Sequence, residues 1–348
     1  METPESWFHR RATLYVEAQI LFHLNQVGVF GFLSNGGSHT VAQIAESLSL
    51  DAGVADALLD YVFGVDDILD RDEDGRYSLS EFGRKVVDRF SDMKSDTGQK
   101  AINMFDVRVG AYGSVWGNLS KMLTGELRYG KDFHRKGEDA EKAVFKLSMN
   151  FWDSLIEHVE ELDVSSIAEV GLTTGLLEKV AESYPDRHLY GLDRSPSSIE
   201  RNAKSASAKG IENVEWVRGD FFEPDVWCKS IDSDDSEGAG LIYSLHFHEL
   251  MARGEESFVE VLRTLKTALP NWKLLAFEQP RLSRTEKERI PETRWLYSQS
   301  NILIHHLIGN GRILSSDAWK DLGHQAGCRS VTDRACNYLG YRAFLFQL

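Results

Sequence analysis

The sequence predicts an α/β protein with a mainly helical N-terminal part and a C-terminal part built on a parallel sheet. Up to about residue 163 the apolar residues recur mostly at helical spacing, whereas beyond Val164 short apolar runs alternate with helical patterns. The length of 348 residues also exceeds what one hydrophobic core usually requires. We therefore predict an N-terminal domain over residues 1–95, linker and cleft helices over 96–163, and an α/β domain over 164–348.

The N-terminal part has the layout of a winged helix. Thr40 and Gln43 form a capping-box signature before one helix, and Asp74-Gly75 is a favoured turn dipeptide between two short strands. A winged helix often binds DNA, but the second helix here is acidic and is followed by no Lys or Arg before Arg71. The pattern therefore favours dimerisation over DNA binding for this domain.

Composition excludes several classes of partner. The formal charge of −15, from 54 acidic and 39 basic residues, repels phosphate backbones and anionic membranes, so we expect no nucleic acid. No apolar run approaches the roughly 20 residues that span a bilayer, and the first residues lack the apolar core of a signal peptide. The three cysteines are widely spaced and form no CxxC pair. These features predict a cytoplasmic protein with no membrane contact.

The second half contains the strands that we expect to carry a ligand. Short apolar runs predict five strands, and they read SIAEVG, HLYGLD, VEWVRGD, LIYSLHF and KLLAFEQ. Strands separated by helices form a parallel sheet wrapped by those helices. Ligands bind such sheets at the carboxyl ends of the strands, at the point where the strand order reverses.

Three successive strand ends carry residues suited to a nucleoside. The first strand ends in a turn that begins at Glu169 and contains Gly171 and Gly175, which allow the backbone to approach a ligand closely. Asp193 ends the second strand, where a carboxylate binds the two hydroxyls of a ribose. After the third strand, the carboxylate of Asp220 suits an adenine amino group and the ring of Phe221 suits the base.

The glycine pattern separates two nucleoside cofactors. Pyrophosphate binding in NAD sites favours G-x-G-x-x-G at a helix N-terminus, and here Leu172 and Thr173 stand between the only two glycines of the turn. S-adenosylmethionine (SAM) carries no phosphate and needs that glycine-rich turn less. The turn therefore favours SAM.

From about residue 10 to its end, the chain resembles the small-molecule O-methyltransferases related to the hydroxyindole, caffeate and bacterial polyketide enzymes. Their first motif is written D-x-G-G-G-x-G. The residues that match the family's cofactor motifs are Glu169, Gly171, Gly175, Asp193, Asp220 and Phe221. The resemblance implies a class I SAM-dependent methyltransferase with a Rossmann-like catalytic domain, a winged-helix domain that forms a homodimer, and a small-molecule acceptor.

His246 is the candidate catalytic residue. It follows the strand LIYSL, and it matches the general base in the L-H-D-W motif of the family that the chain resembles. A histidine with a near-neutral pKa suits removal of a proton from the acceptor. Phe247-His248-Glu249 replaces the usual Asp-Trp, and Glu278, which ends the strand KLLAFE, is a candidate for orienting His246 or binding the acceptor.

The extra histidines suggest a metal as an alternative. The candidate ligands are His246, His248 and His305. Only one of His305 and His306 can face the cleft, because neighbouring residues on a helix point about 100° apart, and His305 is favoured because it shares a face with Asn301, Ile304 and Ile308. A metal would activate the carbon of a 2-oxo acid, as in the 2-oxo-acid C-methyltransferases that the chain also resembles. Arg294 and Arg312 flank the histidine pair and are candidates for binding an acceptor carboxylate.

Two other functions remain open on the sequence alone. One is an enzyme that retains SAM during a rearrangement or cyclisation, which the unusual turn at Leu172 and Thr173 suggests. The other is a regulatory protein whose winged helix binds DNA, which the acidic second helix disfavours. The sequence is compatible with methylation of the acceptor at oxygen or at carbon.

Overall fold

The protein is described by a computed structural model that covers residues 3–91, 106–136, 145, 148, 152–172, 174–231, 239–336 and 340–348. The chain divides into two compact units, one of Met1–Thr124 with His134–Leu147 and one of Gly125–Phe133 with Ser148–Leu348. The domain boundaries inferred from the sequence remain a prediction. Of the predicted linker helices over 96–163, Ala143, Leu147 and Phe151, whose spacing predicts one apolar face, lie outside the described residues.

The first unit consists of helices and one hairpin. Its helices are α1 (Pro4–Gln26), α2 (Val29–Ser34), α3 (Val41–Leu48), α4 (Ala52–Val65), α5 (Glu81–Ser91), α6 (Gly113–Gly117) and α7 (Leu119–Leu123). The strands β1 (Leu69–Arg71) and β2 (Tyr77–Leu79) pair antiparallel, which confirms the predicted hairpin. The capping box of Thr40 and Gln43 is also present at the start of α3.

Apolar side chains of the first unit divide into a core and an exposed set. Leu24, Phe30 and Leu59 belong to a buried cluster between the helices and the hairpin. The N-terminal half of α1 instead exposes large apolar side chains, including Phe8 at 69% and Tyr15 at 60% of their surface. Among the described residues, no helix is both long and apolar enough to cross a membrane.

The second unit contains a seven-stranded sheet. The strands are β3 (Ser166–Val170), β4 (His188–Asp193), β5 (Val214–Arg218), β6 (Ala239–Ser244), β7 (Lys273–Glu278), β8 (Ser330–Ala335) and β9 (Arg342–Gln347), in the order β5-β4-β3-β6-β7-β9-β8. The first five strands in that order are parallel, and β9 is antiparallel to both of its neighbours. The five predicted strands are therefore confirmed, and β8 and β9 were not predicted.

Helices connect the strands of the second unit. They are α8 (Trp152–Glu160), α9 (Leu176–Ser183), α10 (Pro196–Ala208), α11 (Pro224–Trp227), α12 (Glu255–Ala268), α13 (Glu292–Leu307) and α14 (Ser316–Gln325). The largest apolar core lies between the sheet and helices such as α12 and α14, and it contains the fully buried Phe247, Phe258 and Trp319. The fold is thus a Rossmann-like α/β sheet, as the sequence predicts.

The strand order places the ligand-binding position. From β3 the chain proceeds to β4 and β5 on one side, and then returns to β6 and β7 on the other side. The reversal lies between β3 and β6, where Val170 is paired with Tyr243. Gly171 and His246, which follow these strands, therefore lie at the edge where sheets of this kind bind ligands.

Candidate active site

Glu169 determines the conformation of the turn after β3. Its side chain is 1% exposed, and its two carboxylate oxygens accept hydrogen bonds of 2.8 Å from the Thr174 hydroxyl and the Leu177 amide. Burial raises the pKa of Glu169 to about 7, although these hydrogen bonds oppose the shift. Because Glu169 is buried and its two oxygens bind Thr174 and Leu177, it stabilises the turn between β3 and α9.

Two side chains that precede β3 in the sequence also bind this turn. The Ser148 hydroxyl and the Trp152 indole both donate to the carbonyl oxygen of Thr174, at 2.7 and 3.0 Å. Gly175 adopts a left-handed conformation, with φ of 69°, and precedes α9. The turn is therefore held at its end, while Thr173 lies outside the described residues.

Asp193 has the geometry expected for binding two ribose hydroxyls. Its Oδ2 accepts from the Leu172 amide at 3.1 Å, and its Oδ1 accepts from the Ser195 amide at 2.8 Å. Each carboxylate oxygen can accept a second hydrogen bond. The two amides thus fix the orientation of a half-buried carboxylate that retains acceptor capacity on both oxygens.

Asp220 and two aromatic rings follow β5. Asp220 Oδ1 accepts from the Phe222 amide at 3.0 Å, and the rings of Phe221 and Phe222 lie 4.6 Å apart. Phe221 is only 9% exposed and belongs to the core, whereas Phe222 is half-buried. With Asp193, this set fits an adenosyl group, because it offers a carboxylate for the ribose and a carboxylate beside aromatic surface for the base.

His246 lies directly against the first turn. Gly171 has a φ of 84°, and a Cβ atom added there would be 2.5 Å from Cδ2 of the His246 ring. Only glycine accommodates both the left-handed backbone and the close approach of this ring. The candidate base and the candidate cofactor turn are therefore in contact.

Glu249 is the partner of His246, and the sequence did not reveal this pair. His246 Nδ1 lies 3.1 Å from Glu249 Oε1, which also accepts from the Asn310 side-chain amide at 2.9 Å. Burial alone lowers the pKa of His246, but the hydrogen bond and charge of Glu249 outweigh it and raise the pKa. Burial raises the pKa of Glu249, but the hydrogen bond and charge of His246, together with His248 and Asn310, lower it well below its usual range. The Glu249 side chain is therefore a carboxylate that accepts from Nδ1–H.

A second buried pair lies behind the first. His248 Nδ1 contacts both oxygens of Glu278 at 3.0 and 3.1 Å, and the His248 amide donates to the same carboxylate. Burial lowers the pKa of His248, but the charge and hydrogen bond of Glu278 raise it further than burial lowers it. The hydrogen bond of Glu278 is thus to His248, where the sequence suggested His246.

The predicted metal site at His246, His248 and His305 is not supported by the geometry. The rings of His248 and His305 lie 4.1 Å apart, so those two residues do meet. The Nδ1 atoms of His246 and His248 bind carboxylates, so only the Nε2 atom of each ring could bind a metal ion. Across the part of the chain that the structure describes, no three His, Cys, Asp or Glu side chains are arranged to hold a metal ion.

Arg294 and Arg312 lie in one cleft, as the acceptor hypothesis requires, but it is not lined by His246. The cleft has a volume of about 1010 Å³ and is bordered by α13, the start of α14, and one residue each of β8 and β9, Asp333 and Arg342. His306 lines it as well, whereas His305 contacts His248. Arg312 lies 3.6 Å from Glu255, whereas Arg294 forms no ion pair within the described residues and is the arginine more available to an anion.

Solved structures with the same fold cover nearly the whole chain. The mitomycin 7-O-methyltransferase MmcR has 15% sequence identity, covers 99% of this chain and 97% of its own, and has a TM-score of 0.72. PigF, solved with S-adenosylhomocysteine (SAH), has 17% identity, 99% coverage of both chains and a TM-score of 0.70. A pericyclic reaction enzyme has 14% identity, covers 100% of this chain and 90% of its own, and has a TM-score of 0.64.

At these identities the similarity establishes the fold. The sequence matches no protein-family model and no curated protein. The chain thus has the Rossmann-like fold of small-molecule O-methyltransferases, as its sequence motifs predict.

Proposed function

We propose that this chain, which shares the fold of the small-molecule O-methyltransferases, transfers a methyl group from SAM to a small molecule. The observation that supports this most directly is the contact between His246 and Gly171 at the reversal of strand order. A basic side chain there adjoins a turn whose neighbouring strand ends carry Asp193 and Asp220. When bound, SAM supplies a methyl group on a sulfonium, which is activated for displacement.

The cofactor residues have distinct roles in this proposal. Asp193 binds the ribose hydroxyls, Asp220 accepts from the adenine amino group, and the rings that follow it cover the base. Glu169 acts through the turn, because its oxygens bind Thr174 and Leu177. Gly171 and Gly175 allow the backbone to follow the cofactor closely, as their positive φ values permit.

His246 acts as the general base. Because Nδ1–H donates to Glu249, the imidazole presents an unprotonated Nε2 that accepts a proton from the acceptor. Glu249 stabilises the imidazolium that forms, and Asn310 holds Glu249 in place. We propose a hydroxyl as the acceptor. The alternative is the carbon beside the carbonyl of a 2-oxo acid, from which His246 would remove a proton without the metal that the sequence suggests.

Methyl transfer is tested with purified protein, SAM and a panel of phenols, alcohols and 2-oxo acids. We expect SAH and methylated product to form in equal amounts, and His246→Gln to reduce kcat by about 10²–10⁴ without changing SAM affinity. His188→Gln is the matched control, because that histidine is 53% exposed at the far end of β4. Asp193→Ala should abolish SAM binding measured by calorimetry.

Two results would contradict the proposal. If the wild-type protein did not bind SAM, the assignment of SAM as the cofactor would be wrong. If the His246→Gln and His188→Gln variants had equal kcat values, the assignment of His246 as the general base would be wrong. Conversion of an acceptor with SAM left intact would indicate the rearrangement chemistry that the sequence leaves open.

We also propose that the first unit forms a homodimer through α1. Phe8, Leu14 and Tyr15 expose at least half of their surface on this helix, and exposed apolar patches mark protein interfaces. Light scattering should give twice the chain mass for the wild type and a lower mass for Phe8→Glu/Tyr15→Glu. Leu123→Glu is the control, because Leu123 is 87% exposed on α7. A monomeric wild type would contradict the proposal.

A further inference from the structure

The cleft that contains Arg294 and Arg312 has an excess of positive charge. Five Lys or Arg side chains line it against three Asp or Glu side chains, in a chain whose net charge is −15. Asp333 binds both Lys320, at 2.7 Å, and Arg342, and Glu255 lies 3.6 Å from Arg312. Asp317, the third acidic side chain, lies 3.9 Å from Lys320, so each of the three has a basic partner.

Two guanidinium groups in the cleft remain without an acidic partner. Neither Arg281 nor Arg294 forms an ion pair within the described residues. Arg281 is exposed on the segment after β7, whereas Arg294 is half-buried and its Nε is buried without a hydrogen bond. Because Nε is not accessible from the cleft, the terminal Nη groups of Arg294 and Arg281 are the donors that a ligand oxygen can reach.

The Arg294 guanidinium is held in position by the backbone. Gly340 has a φ of 83°, and a Cβ atom added there would be 2.6 Å from Nη2 of Arg294. The planar group therefore packs against a residue that has no side chain, and less of its conformational freedom is lost when it binds an anion. An arginine fixed in this way differs from a mobile surface arginine.

The cleft also has an apolar side, and α13 separates it from the His248–His305 contact. Leu282, Ile313 and Leu314 line the cleft and are each less than 10% exposed. His306 lines it, whereas the preceding His305 contacts His248. His246, Asp193 and Gly171 are not among its lining residues. The cleft is thus distinct from the proposed methyl-transfer site.

We propose that this cleft binds a small amphipathic organic anion, whose carboxylate or phosphate is held by Arg294 and Arg281 and whose apolar part contacts Leu282 and Ile313. Carboxylate and phosphate groups each offer two oxygens that can accept parallel hydrogen bonds from one guanidinium group. Arg312 adds a third positive charge at the rim, because its pair with Glu255 is exposed on both sides. This site does not depend on the methyltransferase assignment.

The test measures binding of phenyl phosphate, benzoate and neutral benzamide by calorimetry at low and at physiological salt. We expect at least one of the two anions to bind, benzamide not to bind, and the anion Kd to increase with salt. Arg294→Gln and Arg281→Gln should each increase that Kd about tenfold. Arg263→Gln, an exposed arginine on α12 outside the cleft, should leave it unchanged. Comparison of phenyl phosphate with benzoate identifies the acid group.

SAM affinity and melting temperature are measured for every variant, which separates loss of the site from loss of the fold. The proposal is overturned if neither anion binds, if benzamide binds as tightly, or if Arg294→Gln retains wild-type affinity while Arg263→Gln does not. Binding by an acidic peptide but by neither small anion would also overturn it, since the cleft would then serve a protein partner.

Discussion

Replacing Gly171 with alanine tests the contact between the turn and His246. A left-handed conformation costs a non-glycine residue about 1–2 kcal/mol. The new Cβ would also force the His246 ring to withdraw by about 0.9 Å, from 2.5 Å to an ordinary contact of 3.4 Å. We expect a displacement of that size to break the 3.1 Å bond between His246 and Glu249, and loss of a hydrogen bond to a charged acceptor costs roughly 1.5–3 kcal/mol. The free energy of unfolding should fall by roughly 2.5–5 kcal/mol in total.

Gly210→Ala is the matched control. Gly210 follows α10 with a φ of 71°, and an added Cβ would meet nothing within 4 Å, so it should lose only the backbone contribution of about 1–2 kcal/mol. Urea unfolding followed by tryptophan fluorescence compares the two variants, and initial rates of methyl transfer report the position of His246. Equal destabilisation of both variants, together with an unchanged rate for Gly171→Ala, would refute the contact.

Three further predictions concern buried ionisable groups. Replacing Glu249 with glutamine removes the group that raises the pKa of His246, so the acid limb of the rate profile should move to lower pH, and an unmoved limb would argue against the pair. Replacing Glu278 with glutamine should destabilise the fold by roughly 3 kcal/mol. Because the folded pKa of His248 is raised, that loss should be complete below pH 6.5 and shrink as the pH rises through the raised pKa, and a loss independent of pH in urea titrations would count against it. The Cys228 thiol, whose pKa burial raises to about 12, should resist iodoacetamide in the folded protein, and rapid alkylation seen by mass spectrometry would contradict its burial.

The parallel part of the sheet could be predicted because each strand is an apolar run between helical patterns. β3, β4, β6 and β7 have this form and are almost wholly buried, as expected for central strands of a parallel sheet. β5, VEWVR, lies at the sheet edge with one buried residue, and its alternation of apolar and polar residues still predicts a strand. β8 was missed because its sequence, SVTDRA, is polar and largely exposed at the sheet edge. β9 is an apolar run, RAFLFQ, and could have been recognised, but its insertion between β7 and β8 depends on long-range pairing that local sequence does not encode.

The sequence predicts the position of a site residue where the end of a strand fixes it, as for Asp193 at the end of β4, whose role in binding ribose is a proposal. Which carboxylate each histidine binds depends on the backbone conformation of the segment after β6. Residues Phe247–Arg253 form a 3-10 helix with three residues per turn, which places Glu249 in line with His246 and turns His248 by about 120°. His248 therefore meets Glu278, an arrangement that spacing along the sequence did not indicate.

The position of β9 has a consequence for how the protein is synthesised. β7 is a strand of largely buried apolar residues, and its outer edge is paired only by β9, which leaves the ribosome after α13 and α14 have been made. Translation adds ~5–20 residues per second, so the amide and carbonyl groups of that edge stay unpaired for several seconds. An open apolar edge is a template for pairing with another nascent chain. During expression, slower translation between β7 and β9 should therefore increase aggregation, and a chaperone that shields exposed strands should reduce it.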